Sequence, residues 1–575
     1  MGVKEESKVR AAKPEKKISE KSETKADEMA KKQREISVSE FFEKNRHLLG
    51  FDNKRKALLT AVKEAVDNSL DACEEASILP DINVELIDMG NDRFRVIVED
   101  NGPGIVKEQI PKVFAKLLYG SKFHRLKQGR GQQGIGISAS VMYAQLTTGR
   151  PAKIISKIGP NKPAHYYELG LDTANNKPVI YKDEEREWEK PQGTKIELDL
   201  EGTYLKGVQS VDEYLKQTAI VNPHVTITYV NPKAEQIIFP RATNELPKQA
   251  VEIKPHPYGI ELGMLLKMLS NTECRTTQSF LTNEFSRVGS GTAKDICDKA
   301  LVAPNTNPKK VGRDDAEKLI KAIKETKIIS PQTDCISPIG EELFEKGLKK
   351  EVNAEFYTSV SRSPEVYRGN PFQVEVALAF GGNQPAQESA ILLRFANRVP
   401  LLYQQGACSI FKSVTQTNWK AYGLDQSNGS LPSAPLTIAV HIASVWVPFT
   451  SESKEAIAHY PELINEIKLA LQEAGRRLQT YVHKKYKVHR QLERANLFER
   501  YIPEVADSLA RLTGESKDAI EKKLQDMIKK DDIQNQIHAM ESLKGETDDE
   551  EGDGNGGVKK KKSKDDDDES SGVDD

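Results

Sequence analysis

Strand-like runs at 82–88 (INVELID) and 93–99 (RFRVIVE) follow one another across a short turn, directly after a helical stretch at 55–77. Further runs near 153–158, 164–170 and 194–200 come after a glycine-rich segment. Consecutive strands joined by short turns and flanked by helices specify an α+β sandwich, not the alternating βαβ order of a dinucleotide-binding fold. Residues 255–330 change to short helices, and strands return between 372 and 449 (FQVEVALAF, ILLRFANRVPLLY, LTIAVHIASVWVPF), with a helix around 408–418. Ile457, Tyr460, Ile464, Ile467, Leu471, Ala474, Leu478 and Tyr481 then alternate by three and four, the pattern of one long helix. Pro461 marks its start, and roughly forty residues would extend about 60 Å, as a stalk.

A chain of 575 residues is too long for one core, so several domains are expected. Its ends are low-complexity: 1–36 and the charged run 546–575 lack the apolar residues to fold. Lys+Arg 84 against Asp+Glu 86 leaves a net charge of −2, which excludes a basic nucleic-acid coat but leaves local patches open. Five scattered cysteines without a CxxC exclude a zinc knuckle and argue against a disulfide framework. No apolar run reaches the ~18–20 residues of a membrane span. The polar N-terminus lacks a secretory signal, so a cytoplasmic location is expected.

In VKEAVDNSLDA, Glu64, Asn68 and Asp71 share one helical face. Asn68 offers an amide oxygen suited to Mg²⁺ among phosphates, and Glu64, one turn away, could accept a proton from an attacking water. A wet polar face is the commoner meaning of such a pattern. The strand RFRVIVE ends in Asp100-Asn101-Gly102-Pro103-Gly104, where a carboxylate could accept an exocyclic amine and glycines could admit a flat ring; an ordinary turn is the equal alternative. Ser121-Lys122 and QGRGQQGIGISAS then offer free backbone N–H groups ahead of a helix N-terminus, a phosphate-favouring arrangement. The spacing is neither the Rossmann fingerprint nor Walker A.

This order of helical ExxxN, DxGxG, a glycine-rich lid and Gly193-Thr194 opening a strand resembles the Bergerat (GHKL) ATPase of gyrase, the ninety-kilodalton chaperone, histidine kinases and MutL. The resemblance implies ATP and Mg²⁺ as cofactors, with Glu64 as catalytic base, Asn68 on Mg²⁺, Asp100 on adenine and Thr194 supporting it. Ser121, Lys122, Gly131, Gln132, Gln133, Gly134, Ile135, Gly136, Ile137 and Ser138 would meet the phosphates. The block at 372–449 resembles the transducer of gyrase and MutL, in which a loop lysine reaches the γ-phosphate; Lys454, at a strand-to-helix junction, takes that place.

KEAVDNSLDA, LLYGSKFHRLKQGRGQQGIGISA, RFANRVPLLYQ, NWKAYG and PFTSESKEAIA are together similar to the B-subunit family of archaeal-type DNA topoisomerase VI, across nearly all of 37–510. The fold implied is multidomain α+β: a GHKL ATPase sandwich at 37–235, a helix–two-turns–helix insert at 250–335 and a ribosomal-S5-like transducer at 336–453. A stalk and partner-docking helix would follow at 454–510, centred for docking on Leu497–Leu512, then C-terminal helices at 511–545. The function implied is an ATP-dependent type II (IIB) topoisomerase that dimerises on ATP and passes duplex through duplex, relaxing supercoils and decatenating DNA. Its partners would be double-stranded DNA and a DNA-cleaving A subunit, two copies of each chain forming the assembly. Lys309, Lys310 and Arg313 in the insert, and Trp419, Lys420 and Tyr422 in a loop expected to be exposed, are DNA-binding candidates; a linker turn and a packed aromatic corner are their alternatives. The rival function is a MutL-like or chaperone-like clamp without topoisomerase activity, against which the helical insert at 255–330 and the WKAY loop argue. Glu197, Asp199 and Glu201 share a strand face but belong to the ATPase sheet, so DNA cutting is expected of the partner.

Overall fold

The computed structural model describes residues 25–123, 125–131, 133–385 and 388–526. Asn53 caps the helix Lys54–Glu75, its side chain accepting the Lys56 amide N–H, and Leu58, Leu59, Val62, Val66 and Leu70 bury the apolar side of that helix. They pack on an eight-stranded sheet, in spatial order Lys177–Arg186, Ala164–Asp172, Ala152–Lys157, Gly193–Glu201, Arg93–Asp100, Asp81–Asp88, Thr226–Val230 and Gln236–Phe239. All neighbours are antiparallel except Asp81–Asp88 with Thr226–Val230. Strand alternation turns Phe94, Val96, Val98 and finally Asp100 to the same buried side. The edge strand Lys177–Arg186 carries no sequence signal, because its run KDEER is exposed and charged, as edges tend to be.

Four helices, Leu262–Asn271, Thr277–Glu284, Ser290–Ala300 and Arg313–Glu325, form the insert around a core of their own that includes Phe280, Leu281, Ile296 and Leu319. In the transducer, Asn370–Phe380 runs antiparallel to Leu436–Ser444, which pairs in parallel with Ile391–Ala396. Val374, Val376 and Leu378 face the long C-terminal helix and Ser409–Gln416. Ala377 and Ala379 face the opposite way, toward Phe344 and Leu348 of the helix Glu341–Glu351. That helix also packs on Ile220 and Val221 of the ATPase body. Gly347 permits the contact, since a Cβ there would collide with the Ile220 carbonyl oxygen.

The long helix spans Pro461–Thr513, 53 residues or about 80 Å, with Pro461 in its first turn where a missing N–H costs nothing. Leu463, Ile467, Leu471, Ala474, Leu478 and Val482 are buried on the transducer sheet, so this half is core and only the remainder projects as a stalk. The helix starts at Pro461, where the proline marks it, and Ile457 and Tyr460 of the alternation precede it. The stretch 497–512 is not a separate docking helix: it continues the same one through Pro503. The following helix Lys517–Asp526 folds back on it, with Ile502, Ala506 and Ile520 buried.

Lys25–Lys32 forms a short exposed helix within a tail expected to hold none; Lys, Ala, Glu and Met favour helix without packing. The charged run 546–575 lies outside the described residues. No helix among the described residues is long and apolar enough to cross a membrane.

Candidate active site

A cavity of about 640 Å³ lies between the helix Lys54–Glu75, the ends of the central strands, the glycine-rich lid and the transducer loop at 452–455. It gathers Glu64, Asn68, Asp100, Ser121, Lys122, Gly131, Gln133, Gly134, Ile135, Gly136, Ile137, Thr194 and Lys454, residues more than 300 positions apart at the extremes. Gln132 lies outside the described residues. Ser138 does not reach the cavity: it is buried, and its hydroxyl donates to the Ile135 carbonyl (2.9 Å), because the third helical position turns into the core.

Sheet register builds one end. Glu99 opposes Lys195, which brings Thr194 beside Asp100, so that the Thr194 N–H donates to Asp100 Oδ1 (3.1 Å). Oδ1 also accepts the Gly102 N–H (2.9 Å), and Oδ2 accepts the Ser69 hydroxyl (2.9 Å). Burial pushes the Asp100 carboxyl above its ordinary range, and these three donors oppose the shift. The Thr194 hydroxyl meets Ser156 Oγ at 3.0 Å, while Val98, Ile105 and Ile196 supply apolar walls. Gly104 lines the cavity, and the chain also requires glycine there: at φ +69 a Cβ would collide with the Lys157 carbonyl.

Glu64 builds the other end. Its Oε2 fills the space a Gly136 Cβ would need, so the carboxylate lies on the first residue of the helix Gly136–Thr148, which has no side-chain cap. Lys63 Nζ stands 3.7 Å from Glu64 Oε1. Asn68 is exposed to the cavity and has no hydrogen-bond partner among the described residues, leaving its amide oxygen available to a cation. Asp71, on the same face, is instead committed to the lid, pairing with Lys122 (2.7 Å) and Arg130 (2.8 Å). Burial alone would raise the Asp71 carboxyl; the two cations hold it below its ordinary value. Lys454 enters from the transducer at φ +53, and its Nζ donates to the Arg130 carbonyl (2.8 Å). Ser69, Ser156 and Arg130 have no role legible in the sequence, because a serine or arginine inside a motif carries no periodic signal of its own.

Residues 53–201 match the histidine kinase-, DNA gyrase B- and HSP90-like ATPase family, and residues 331–494 match the topoisomerase VI B subunit transducer family. The chain is 54% identical over 486 residues to the type 2 DNA topoisomerase 6 B subunit of Methanococcoides burtonii, covering 84% of this chain and 78% of that protein. The protein of the same name from Archaeoglobus fulgidus is 51% identical over 485 residues, covering 84% and 80%. The one from Pyrococcus horikoshii is 40% identical over 533 residues, covering 84% and 93%. The chain belongs to the topoisomerase VI B-subunit family. Its first body is therefore a GHKL ATPase domain, whose nucleotide is ATP, and its second is the topoisomerase VI transducer.

In this topoisomerase VI B-type chain the DNA candidates separate. Lys309, Lys310 and Arg313 are exposed on the insert. Trp419 is not: it is fully buried, its indole N–H donating to the Val414 carbonyl (2.9 Å). Tyr422 lies half-buried against Gly475 of the long helix, so the pair is a packed corner and, of the three candidates, Lys420 alone is exposed. Past Val482 the helix exposes Lys484, Lys485, Lys487, Arg490 and Arg494, a basic stretch to which the apolar pattern of the stalk gives no clue. Asp199 is neutralised by Arg95 (2.7 Å) and Arg150 (2.7 Å), and no metal-holding cluster of acidic, histidine or cysteine side chains occurs among the described residues.

Asp67 sits beneath the site, accepting the Tyr214 hydroxyl (2.9 Å) with Lys63 Nζ 3.9 Å away. Burial pushes its carboxyl up to about 6, against ~3.9 in the unfolded chain. A raised carboxyl contributes fully below the unfolded value and loses that contribution as pH climbs through the folded one. Asp67→Asn keeps the Tyr214 bond and does not titrate. It should match the wild type near pH 4 and exceed it by about 2–3 kcal/mol at pH 8. Parallel denaturation profiles across that range would refute this.

Proposed function

We propose that this chain is the ATP-binding and hydrolysing subunit of a type IIB DNA topoisomerase, closing into a dimer on ATP and driving duplex passage with a DNA-cleaving A subunit. The observation that carries it is one cavity that unites Glu64, Asn68, Asp100 and the lid with Lys454 from the transducer. Asp100 presents a carboxylate to the adenine amine between the apolar walls. Asn68 would hold Mg²⁺, which would offset phosphate charge. Glu64 takes the proton of the attacking water, the Gly136 helix N-terminus faces the phosphates, and Lys454 meets the terminal one. Lys309, Lys310, Arg313 and Lys420, with the basic stretch past Val482, suit the phosphate backbone of double-stranded DNA without reading its sequence. The A subunit docks on the stalk's exposed face, formed by Leu497, Phe498, Tyr501, Val505 and Leu512. Two chains of each kind assemble inside the cell.

In the closed dimer, residues 37–50 are the segment that crosses to the other copy. Here they fold on their own domain, with the Ser39 hydroxyl on Asn176 Oδ1 (2.9 Å) and Val38 and Phe41 left exposed. Sedimentation should show a monomer without nucleotide and a dimer with a non-hydrolysable ATP analogue and Mg²⁺. Val38→Asp combined with Phe41→Asp should weaken dimerisation about tenfold or more while leaving analogue binding intact. A single unchanged species at saturating analogue would count against the gate.

A further inference from the structure

The stem of the lid, Gln128–Arg130, is held by three separate segments of the transducer region. Gln128 exchanges two bonds with Ser337, donating from Nε2 to the Ser337 carbonyl (3.1 Å) and accepting its N–H at Oε1 (2.6 Å). Asn397 donates from Nδ2 to the Gly129 carbonyl (3.2 Å) and to the Ser444 carbonyl (2.9 Å), while its Oδ1 accepts the Ser444 N–H (2.9 Å). Lys454 rests on the Arg130 carbonyl. The Arg130 guanidinium, its side chain 4% exposed, donates to Asp71 (2.8 Å), Glu74 (2.7 and 2.8 Å) and Asn222 (2.6 Å). Asn222 in turn donates to the Arg398 carbonyl (3.2 Å). Neighbours 397 and 398 thus grip the lid stem twice, directly at Gly129 and through Asn222 at Arg130.

The turn that places them is the two-residue loop of a hairpin, with Ala396 opposite Val399. Asn397 has φ +48 and Arg398 φ +63, the left-handed pair that matches the twist of the flanking strands, and of the two Asn adopts it more readily than Arg. The Arg398 guanidinium is buried with no carboxylate bonded to it among the described residues, donating to Ser337 Oγ (3.1 Å) and the Pro338 carbonyl (3.0 Å). From the turn, bonds continue into the transducer. The Arg398 N–H donates to His441 Nε2 (3.0 Å), which fixes the tautomer whose Nδ1–H donates to Glu375 (2.7 Å). Glu375 accepts the Ile339 and Gly340 N–H groups (2.8 and 2.7 Å) at the start of the helix Glu341–Glu351.

We propose that the Asn397–Arg398 turn is a positioning element for the phosphate lid, holding Gly129 and Arg130 in place and carrying lid displacement through His441 and Glu375 to the helix Glu341–Glu351. It rests on the nucleotide site proposed above and adds a connection between lid and transducer that does not run through the Lys454 charge. Hydrogen exchange of the full chain, with and without a non-hydrolysable ATP analogue and Mg²⁺, tests it. In the wild type the analogue should slow exchange both in the lid, 128–137, and in 339–345 and 397–403. Asn397→Gly leaves the turn at ease with its positive φ and removes only the amide. The analogue should then bind about tenfold more weakly, and at saturation it should protect the lid without protecting 339–345. Exchange in the insert helices, 262–325, should match the wild type, which a general loosening would not allow. Gln128→Ala attacks the stem from the lid side, away from the turn, and should act in the same direction even if Asn397→Gly fails to fold. Wild-type protection of 339–345 in either folded variant overturns the proposal. A wild type that binds no analogue overturns the nucleotide site itself, and this proposal with it.

Discussion

Glu64→Gln should lower ATP turnover by about 10²–10⁴-fold, the range set by losing a general base, while nucleotide affinity stays within about threefold of the wild type. The separation follows from position. Glu64 makes no hydrogen bond to the adenine end, where Asp100, Ser69 and Thr194 form their own set, so its loss leaves recognition there intact. Glutamine also preserves the shape packed against Gly136, where Oε2 occupies the space of a missing Cβ. Gly136→Ala should produce a comparable loss by the opposite route, displacing the carboxylate instead of neutralising it. Asn68→Ala gives the contrasting signature, weaker ATP binding in Mg²⁺ and little change in its absence, because only an amide oxygen facing the cavity is removed. Phosphate-release rates set beside equilibrium binding separate the three. Parent turnover by Glu64→Gln would remove Glu64 from the role of base.

The cavity was legible in the sequence because two periodicities converge on it, one from each end. A 3.6-residue repeat placed Glu64 and Asn68 on one face, and strand alternation put Asp100 at the inward end of RFRVIVED. Ser69 and Ser156 were invisible for the same reason: each acts through a register between elements distant in sequence, such as Ser156 opposite Thr194, which no local pattern encodes. Asp71 shows the limit of the helical face. It points where the spacing says, but Lys122 and Arg130 of the lid claim it, so a shared face does not make a shared task. Trp419 misled because an aromatic beside a lysine reads the same whether it meets a ligand or a core; only tertiary packing against Val414 and the long helix decides. The stalk misled in the other direction. Its three-four alternation was correct, yet for the first six turns it answers to a sheet rather than to water.

Lys454→Ala should reduce ATP turnover by about 10–10²-fold, less than loss of the base, since one charged contact to the terminal phosphate is removed and the water-activating group remains. The residue's setting shows why the effect extends past chemistry. Lys454 is drawn from the transducer loop into the ATPase cavity, its ammonium bonded to the Arg130 carbonyl, and burial lowers its pKa while Glu64 opposes that shift. A half-buried ammonium resting on one neutral carbonyl is under-satisfied, and an arriving phosphate is the stronger acceptor. Moving onto it would pull the 451–455 loop, and with it the start of the helix at Pro461, toward the lid. The backbone provides the control. At φ +53 alanine inherits the strain that lysine bears, whereas glycine does not, so Lys454→Gly should be about 1 kcal/mol more stable than Lys454→Ala. If the charge is what matters, both variants lose the same turnover despite that difference. Both should also fail to compact in small-angle scattering when the analogue binds. Turnover that tracked stability instead, high in Lys454→Gly and low in Lys454→Ala, would show that the loop's backbone and not its ammonium couples nucleotide to transducer.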